Sequence, residues 1–88
     1  VYIRITPGNS LLTAESLREW LQKRPFQPFL VKTSDGEAYE VRHPAVAFLT
    51  RTEIVIGLAE RNGIPSRHRT VLLLHVTAIE PIDASAAA

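Results

Sequence analysis

Phe29-Leu30-Val31-Lys32-Thr33-Ser34-Asp35-Gly36-Glu37-Ala38-Tyr39-Glu40-Val41-Arg42-His43 is the stretch on which the fold is decided. Phe29 to Ser34 reads as a strand, and Asp35-Gly36 is a tight hairpin turn. Glu37 to His43 returns with Tyr39, Val41 and His43 on one face and Glu40 and Arg42 on the other. Upstream, Pro25-Phe26-Gln27-Pro28-Phe29 is a stiff connector whose prolines fix the entry angle and whose Phe26 and Phe29 can plug the end of a core. Before it, Thr13 is placed to cap a helix from Ala14 to about Lys23, with Leu17, Trp20 and Leu21 as its apolar stripe. Leu12 can staple onto Leu17, Lys23 and Arg24 suit the negative end of the dipole, and Pro25 stops the run. A helix of about three turns is marginal alone, so the stripe must lie on something else.

Downstream, Pro44 interrupts the second strand and forces a bend, with Val46 to Leu49 continuing after it at an edge. Thr50 to Glu53 is a turn, and Ile54 to Leu58 is a nearly all-apolar strand. Ala59 to Arg67 reads as a long polar loop. Arg69 to Leu74 and Val76 to Ile79 are two strands broken near His75. Val1 to Thr6 alternates like a strand before Pro7-Gly8 and reads as an arm. Pro81 onward is a small-residue tail.

These segments divide the chain into an extended arm over 1–12, a domain over 13–82 and a tail over 83–88. One helix followed by five short strands with no crossover helices excludes a parallel sheet. The expected fold is mainly β with one N-terminal helix: a small, partly open, five-stranded antiparallel SH3-like or Sm-like barrel with the helix over one end.

Composition narrows the function classes. Eighty-eight residues make one domain. No cysteine and three scattered histidines offer neither a disulfide frame nor a metal cluster. The formal charge of +1 announces no polyanion partner. No apolar run reaches the ~20 residues of a membrane helix, and there is no signal-peptide succession, so a soluble chain is expected, its compartment open. Glu37 and Glu40 lie on opposite strand faces and cannot pair as acid and base, and no phosphate-binding or zinc-protease motif occurs. No catalytic residue, metal ligand, cofactor or small-molecule substrate is expected. Trp20 belongs to the buried stripe, and His43 alternates with Tyr39 and Val41 as a packed ring.

The order of elements, with Phe29-Leu30-Val31-Lys32-Thr33-Ser34-Asp35-Gly36 and Leu74-His75-Val76-Thr77-Ala78-Ile79-Glu80-Pro81, resembles the Sm-like (LSm, Hfq-type) family. PFQPF, SDG and VRHP also resemble small bacterial proteins carrying PF-x-PF and HP motifs. The Sm-like resemblance implies subunits paired edge to edge around a ring, with RNA held by two loops. It carries over His75, which in the bacterial branch follows a lysine and here follows Leu74. Arg42-His43-Pro44-Ala45-Val46 stands where the family places its base-holding polar residues. Arg61, Arg67, His68 and Arg69 form the one local concentration of positive charge, suited to phosphates.

Val71-Leu72-Leu73-Leu74 is apolar on both faces of a strand, which calls for cover by a neighbour. The expected interface between copies comprises Val1, Tyr2, Ile3 and Ile5 of the arm with Val71, Leu72, Leu73, Leu74, Val76 and Ile79. The expectation is a non-enzymatic protein that self-associates into a ring or filament through edge strands, its arm linking subunits. The alternative is an RNA-binding ring using Arg61, Arg67, Arg69 and His75.

Overall fold

The computed structural model of the chain describes residues 3–4 and 10–82. The decisive hairpin forms as expected, from β2 (Phe29–Thr33) and β3 (Ala38–Val41), in a register that sets Phe29 opposite Val41 and Val31 opposite Tyr39. Alternation puts Phe29, Val31 and Val41 inside, fully buried. The turn is held by its own polar groups. The Thr33 N–H donates to the Glu37 carbonyl at 3.0 Å, Gly36 takes a φ of +87°, and the Asp35 carboxylate accepts from the Thr33 hydroxyl and from the Glu37 N–H, the latter at 3.1 Å.

Among the described residues seven strands are present rather than five, in two antiparallel sheets. Pro44–Val46 forms a 3-10 turn that splits the expected second strand into β3 and β4 (Ala47–Leu49). The arm adds a two-residue strand, β1 (Ile3–Arg4), paired to β7 (Val76–Pro81) of the same chain with Ile3 opposite Ile79. The first sheet runs β1-β7-β2-β3. The second runs β4-β5-β6, with β5 at Glu53–Arg61 and β6 at Ile64–Leu72. Among the described residues no ladder joins the sheets, so they are not closed into a barrel. The chain crosses between them at the Pro44–Val46 corner and at a second 3-10 turn, Leu73–His75.

The segment read as a long polar loop, Ala59 to Arg67, is instead the far half of the β5–β6 hairpin. Asn62 and Gly63 both take positive φ, +54° and +78°, and close a two-residue turn between Arg61 and Ile64. Two such residues give the mirror-image turn whose twist matches that of the flanking strands. Gly57 lies where this hairpin curls on itself: a Cβ there would sit 2.5 Å from Pro65 Cγ and 3.3 Å from the Val46 carbonyl oxygen.

The helix α1 runs Ser10–Gln22, so it begins inside the segment read as arm, and Thr13 is a buried helical residue rather than the cap. Leu17 and Trp20 are buried as the stripe predicts, with Trp20 5.3 Å from the Phe29 ring and Phe26 6.0 Å from it on another side. The helix packs on the Leu73–His75 corner and on β4. Lys23 Nζ stands 4.2 Å over the Trp20 ring, and Arg24 Nη1 donates to the carbonyls of Leu21 and Lys23 at 3.2 and 2.7 Å. These are the helix-end carbonyls that lack partners within the helix. Ile54, Ile56, Leu73, Val76 and Ile79 complete the core between the sheets. Among the described residues no helix is long and apolar enough to cross a membrane.

Candidate functional site

The apolar run after Thr70 divides between interior and surface. Val71 lies on β6 opposite Ile54, both buried. The alternation carries on into the 3-10 turn, where Leu73 is fully buried, while Leu72 and Leu74 are at 45% and 48% exposure. Four of the expected interface residues, Val71, Leu73, Val76 and Ile79, are therefore committed to the core of their own chain. The reason is alternation: Val71 and Leu73, two positions apart, share the inward face, which leaves Leu72 and Leu74 outward. Ile3 pairs its backbone with β7 of its own chain, while Val1, Tyr2 and Ile5 lie outside the described residues.

Four large apolar side chains are exposed among the described residues: Phe48, Ile64, Leu72 and Leu74. All of them belong to the second sheet or to the corner that follows it. Register places Phe48 opposite Val55 and Val55 opposite Thr70 on the outward face, the face that Leu72 also shares. Next to this face, among the described residues, β6 pairs only with β5, leaving a nine-residue outer edge.

A cleft of about 210 Å³ lies beside that edge. One wall is the consecutive run Arg69–Leu72; the other is built from Thr33, Asp35, Tyr39 and His75. The corner and the first hairpin are tied here, because Ser34 N–H donates to the His75 carbonyl at 2.8 Å. Arg69 sits with its guanidinium carbon 5.8 Å from the Tyr39 ring centre, within cation–π reach. Asp35 is held below its usual 3.8, first by the Thr33 hydroxyl and next by the Glu37 N–H, with the Arg69 charge contributing least.

Of the residues expected to meet RNA, this cleft unites Arg69 and His75. Arg61 is at the hairpin tip, five strand positions and roughly 16 Å from the level of Arg69. Arg67 lines a separate hollow with Phe48, Gly57, Pro65 and His68. The positive cluster of the sequence is thus drawn out along a strand instead of gathered in a loop. His43 is exposed beside the first corner rather than packed in line with Val41, because β3 ends at Val41. Tyr39 is the residue sequence reasoning missed. It supplies the aromatic neighbour that Arg69 lacks locally, and its signal was an inward strand position beyond the last fully buried pair.

Among the described residues no group of three or more histidine, aspartate or glutamate side chains is placed to hold a metal ion. No family model, curated protein or solved structure matches the chain.

Proposed function

We propose that this chain is a non-enzymatic interaction domain that assembles with copies of itself through the second sheet. The observation that carries the reading is that, among the described residues, the exposed large apolar side chains are confined to β4, β6 and the following corner, beside an open strand edge. An unpaired edge next to apolar surface recruits another strand unless it is blunted. Here Pro65, Arg67 and His68 blunt one stretch of β6, so pairing is directed to Arg69–Leu72 and the adjoining Leu74. A self-complementary contact closes a pair; a head-to-tail one makes a ring or a filament.

The finer reading of the fold as an SH3-like or Sm-like barrel belongs to this proposal. Its support is the order of elements and the two corners at which the chain passes between sheets. Exchange of the arm keeps the Ile3–Arg4 ladder while linking two subunits, since β7 offers the same edge in each copy.

Light scattering behind size exclusion, with absorbance at 260 and 280 nm, tests the reading. The expected result is a nucleic-acid-free particle whose mass is a multiple of 9.8 kDa. Phe48→Lys combined with Leu74→Lys lowers that mass while far-ultraviolet circular dichroism stays the same. A monomer at every concentration overturns the proposal. The second reading, RNA binding, draws on one observation, the meeting of Arg69, Tyr39 and His75. It replaces the first if nucleic acid travels with the protein and is lost as salt rises.

A further inference from the structure

We infer that the cleft beside β6 selects the strand that pairs with that edge by taking a carboxylate side chain from it onto Arg69 and His75. The inference rests on the reading that β6 pairs with another polypeptide, and it names the chemistry of the segment that does so.

The cleft and the edge are one feature. Arg69, Thr70, Val71 and Leu72 are consecutive, so the wall of the cleft is the unpaired border of the strand itself. A strand laid along this border satisfies alternate N–H and C=O groups and turns every second side chain toward the cleft. A nucleic-acid backbone has no such alternation of donors and acceptors, which favours a peptide here.

Charge fixes which side chain is wanted. Arg69 carries no ion pair: among the described residues those within 4.0 Å are Lys32–Glu80 and Arg42–Glu40. The nearest acid in the cleft, Asp35, directs its carboxylate to Thr33 and Glu37 in the turn. Tyr39 holds the guanidinium over its ring without neutralising it. His75 faces the same cleft from the corner, exposed, and Arg67 adds positive charge farther along β6. Asp35 is the lone acid lining the cleft. A carboxylate arriving on a strand therefore finds a preplaced guanidinium, a planar fork suited to it.

Nuclear magnetic resonance titration of the whole chain with blocked pentapeptides tests this. The peptides are Thr-Val-Xaa-Val-Thr with glutamate, glutamine or lysine at the centre. Binding of the glutamate peptide is expected to move the amides of 69–72 and the His75 ring. Its affinity should exceed that of the lysine peptide by about tenfold, with glutamine between. Arg69→Glu should reverse the order, and His75→Gln should narrow it; a dispersed amide spectrum shows that each variant is folded. Equal affinity for the three peptides, or shifts away from β6, overturns the inference. So does an oligo-uridylate that shifts Arg69 and His75 where the glutamate peptide does not. The two readings fail separately. A scattering monomer that still prefers glutamate keeps the cleft and loses self-association. An oligomer whose edge does not discriminate keeps self-association and loses the cleft.

Discussion

Two of the hairpins, β2–β3 and β5–β6, solve the same problem in opposite surroundings. β2–β3 turns on Asp35-Gly36 and has one face under the helix and the second sheet, so Phe29, Val31 and Val41 are fully buried. β5–β6 turns on Asn62-Gly63, and only its base is covered: Ile54, Ile56 and Val71 are buried, while positions 66–70 of β6 are all exposed. The first hairpin is an internal part of the fold, and the second presents its outer half to whatever lies beyond the chain. Burial supplies the alternating pattern that makes a strand readable. Where one end of a hairpin has no cover, the residues go polar and the turn becomes the main local sign of the strand.

The widest separation between the two regions is expected from a pair of phenylalanines. Phe29→Ala removes a fully buried ring in contact with Trp20 and Phe26, and should cost about 3–5 kcal/mol, enough to threaten folding of a domain this small. Phe48 is 67% exposed, and Phe48→Ala should change the stability of the single chain by no more than about 0.5 kcal/mol. Urea unfolding at a protein concentration below assembly measures both. A large loss at Phe48 under those conditions would mean that the second sheet is covered within the chain, against the contrast drawn between the regions.

Gly57 probes the place where the exposed hairpin folds back. A valine there meets Pro65 at its ring carbons, and Val46 presents backbone that has little room to yield. Gly57→Val should destabilise by about 1–3 kcal/mol, as overpacking does. Gly57→Ala with Pro65→Ala should be milder than Gly57→Ala alone, because the ring is the closest obstacle. Equal losses in the single and double variants would show that the curl of the hairpin does not depend on this approach.

The two turn glycines share the same backbone demand, with φ of +87° at Gly36 and +78° at Gly63. An alanine at either should cost about 1–2 kcal/mol locally. The consequences should differ in reach. Gly36→Ala strains a turn tied to the core through Thr33 and to the corner through Ser34, so protection from hydrogen exchange should fall across β2, β3 and β7. Gly63→Ala should speed exchange near Arg61 and Ile64 and leave Ile54 and Val71 protected, since the tip can open without the base. Global loss from Gly63→Ala would merge the two regions into one cooperative unit.

The same contrast governs how much was legible in the sequence. The β2–β3 hairpin, its turn and the Trp20 stripe could be read because period and punctuation agree there. Only the far half of the β5–β6 hairpin, Ala59 to Arg67, reads as a loop, because Arg61, Asn62, Ser66 and Arg67 obscure any alternation, although Asn62-Gly63 is itself a strong hairpin signal. The helix start was misplaced because Thr13, a capping type, is buried inside the helix instead. Of the candidate site, Arg69 was legible as a cation and His75 as a polar ring at a strand break. Tyr39 was legible only as an inward strand position, since its meeting with Arg69 comes from the packing of one sheet against the other.

The smallest expected effect lies in the turns. Asp35 is the acid of the first turn, and the Thr33 hydroxyl chiefly holds its pKa below 3.8. A carboxyl whose folded pKa is depressed stabilises the fold above the unfolded value, and that contribution is lost as pH falls through the folded pKa. The window therefore lies on the acid side of pH 3.8, and the contribution is fully present at neutral pH. Asp35→Asn should lower stability slightly at pH 7 and flatten its decline in that acid window, because the variant has no proton to take up there. The side chain is fully exposed, so solvent keeps the effect small. The second turn offers the control: Asn62-Gly63 carries no titratable group, so amide exchange at its tip should show no step in the Asp35 window. A step at Gly63 matching the one at Gly36 would mean that acid acts on the whole domain at once and that the Asp35 turn is not its point of entry.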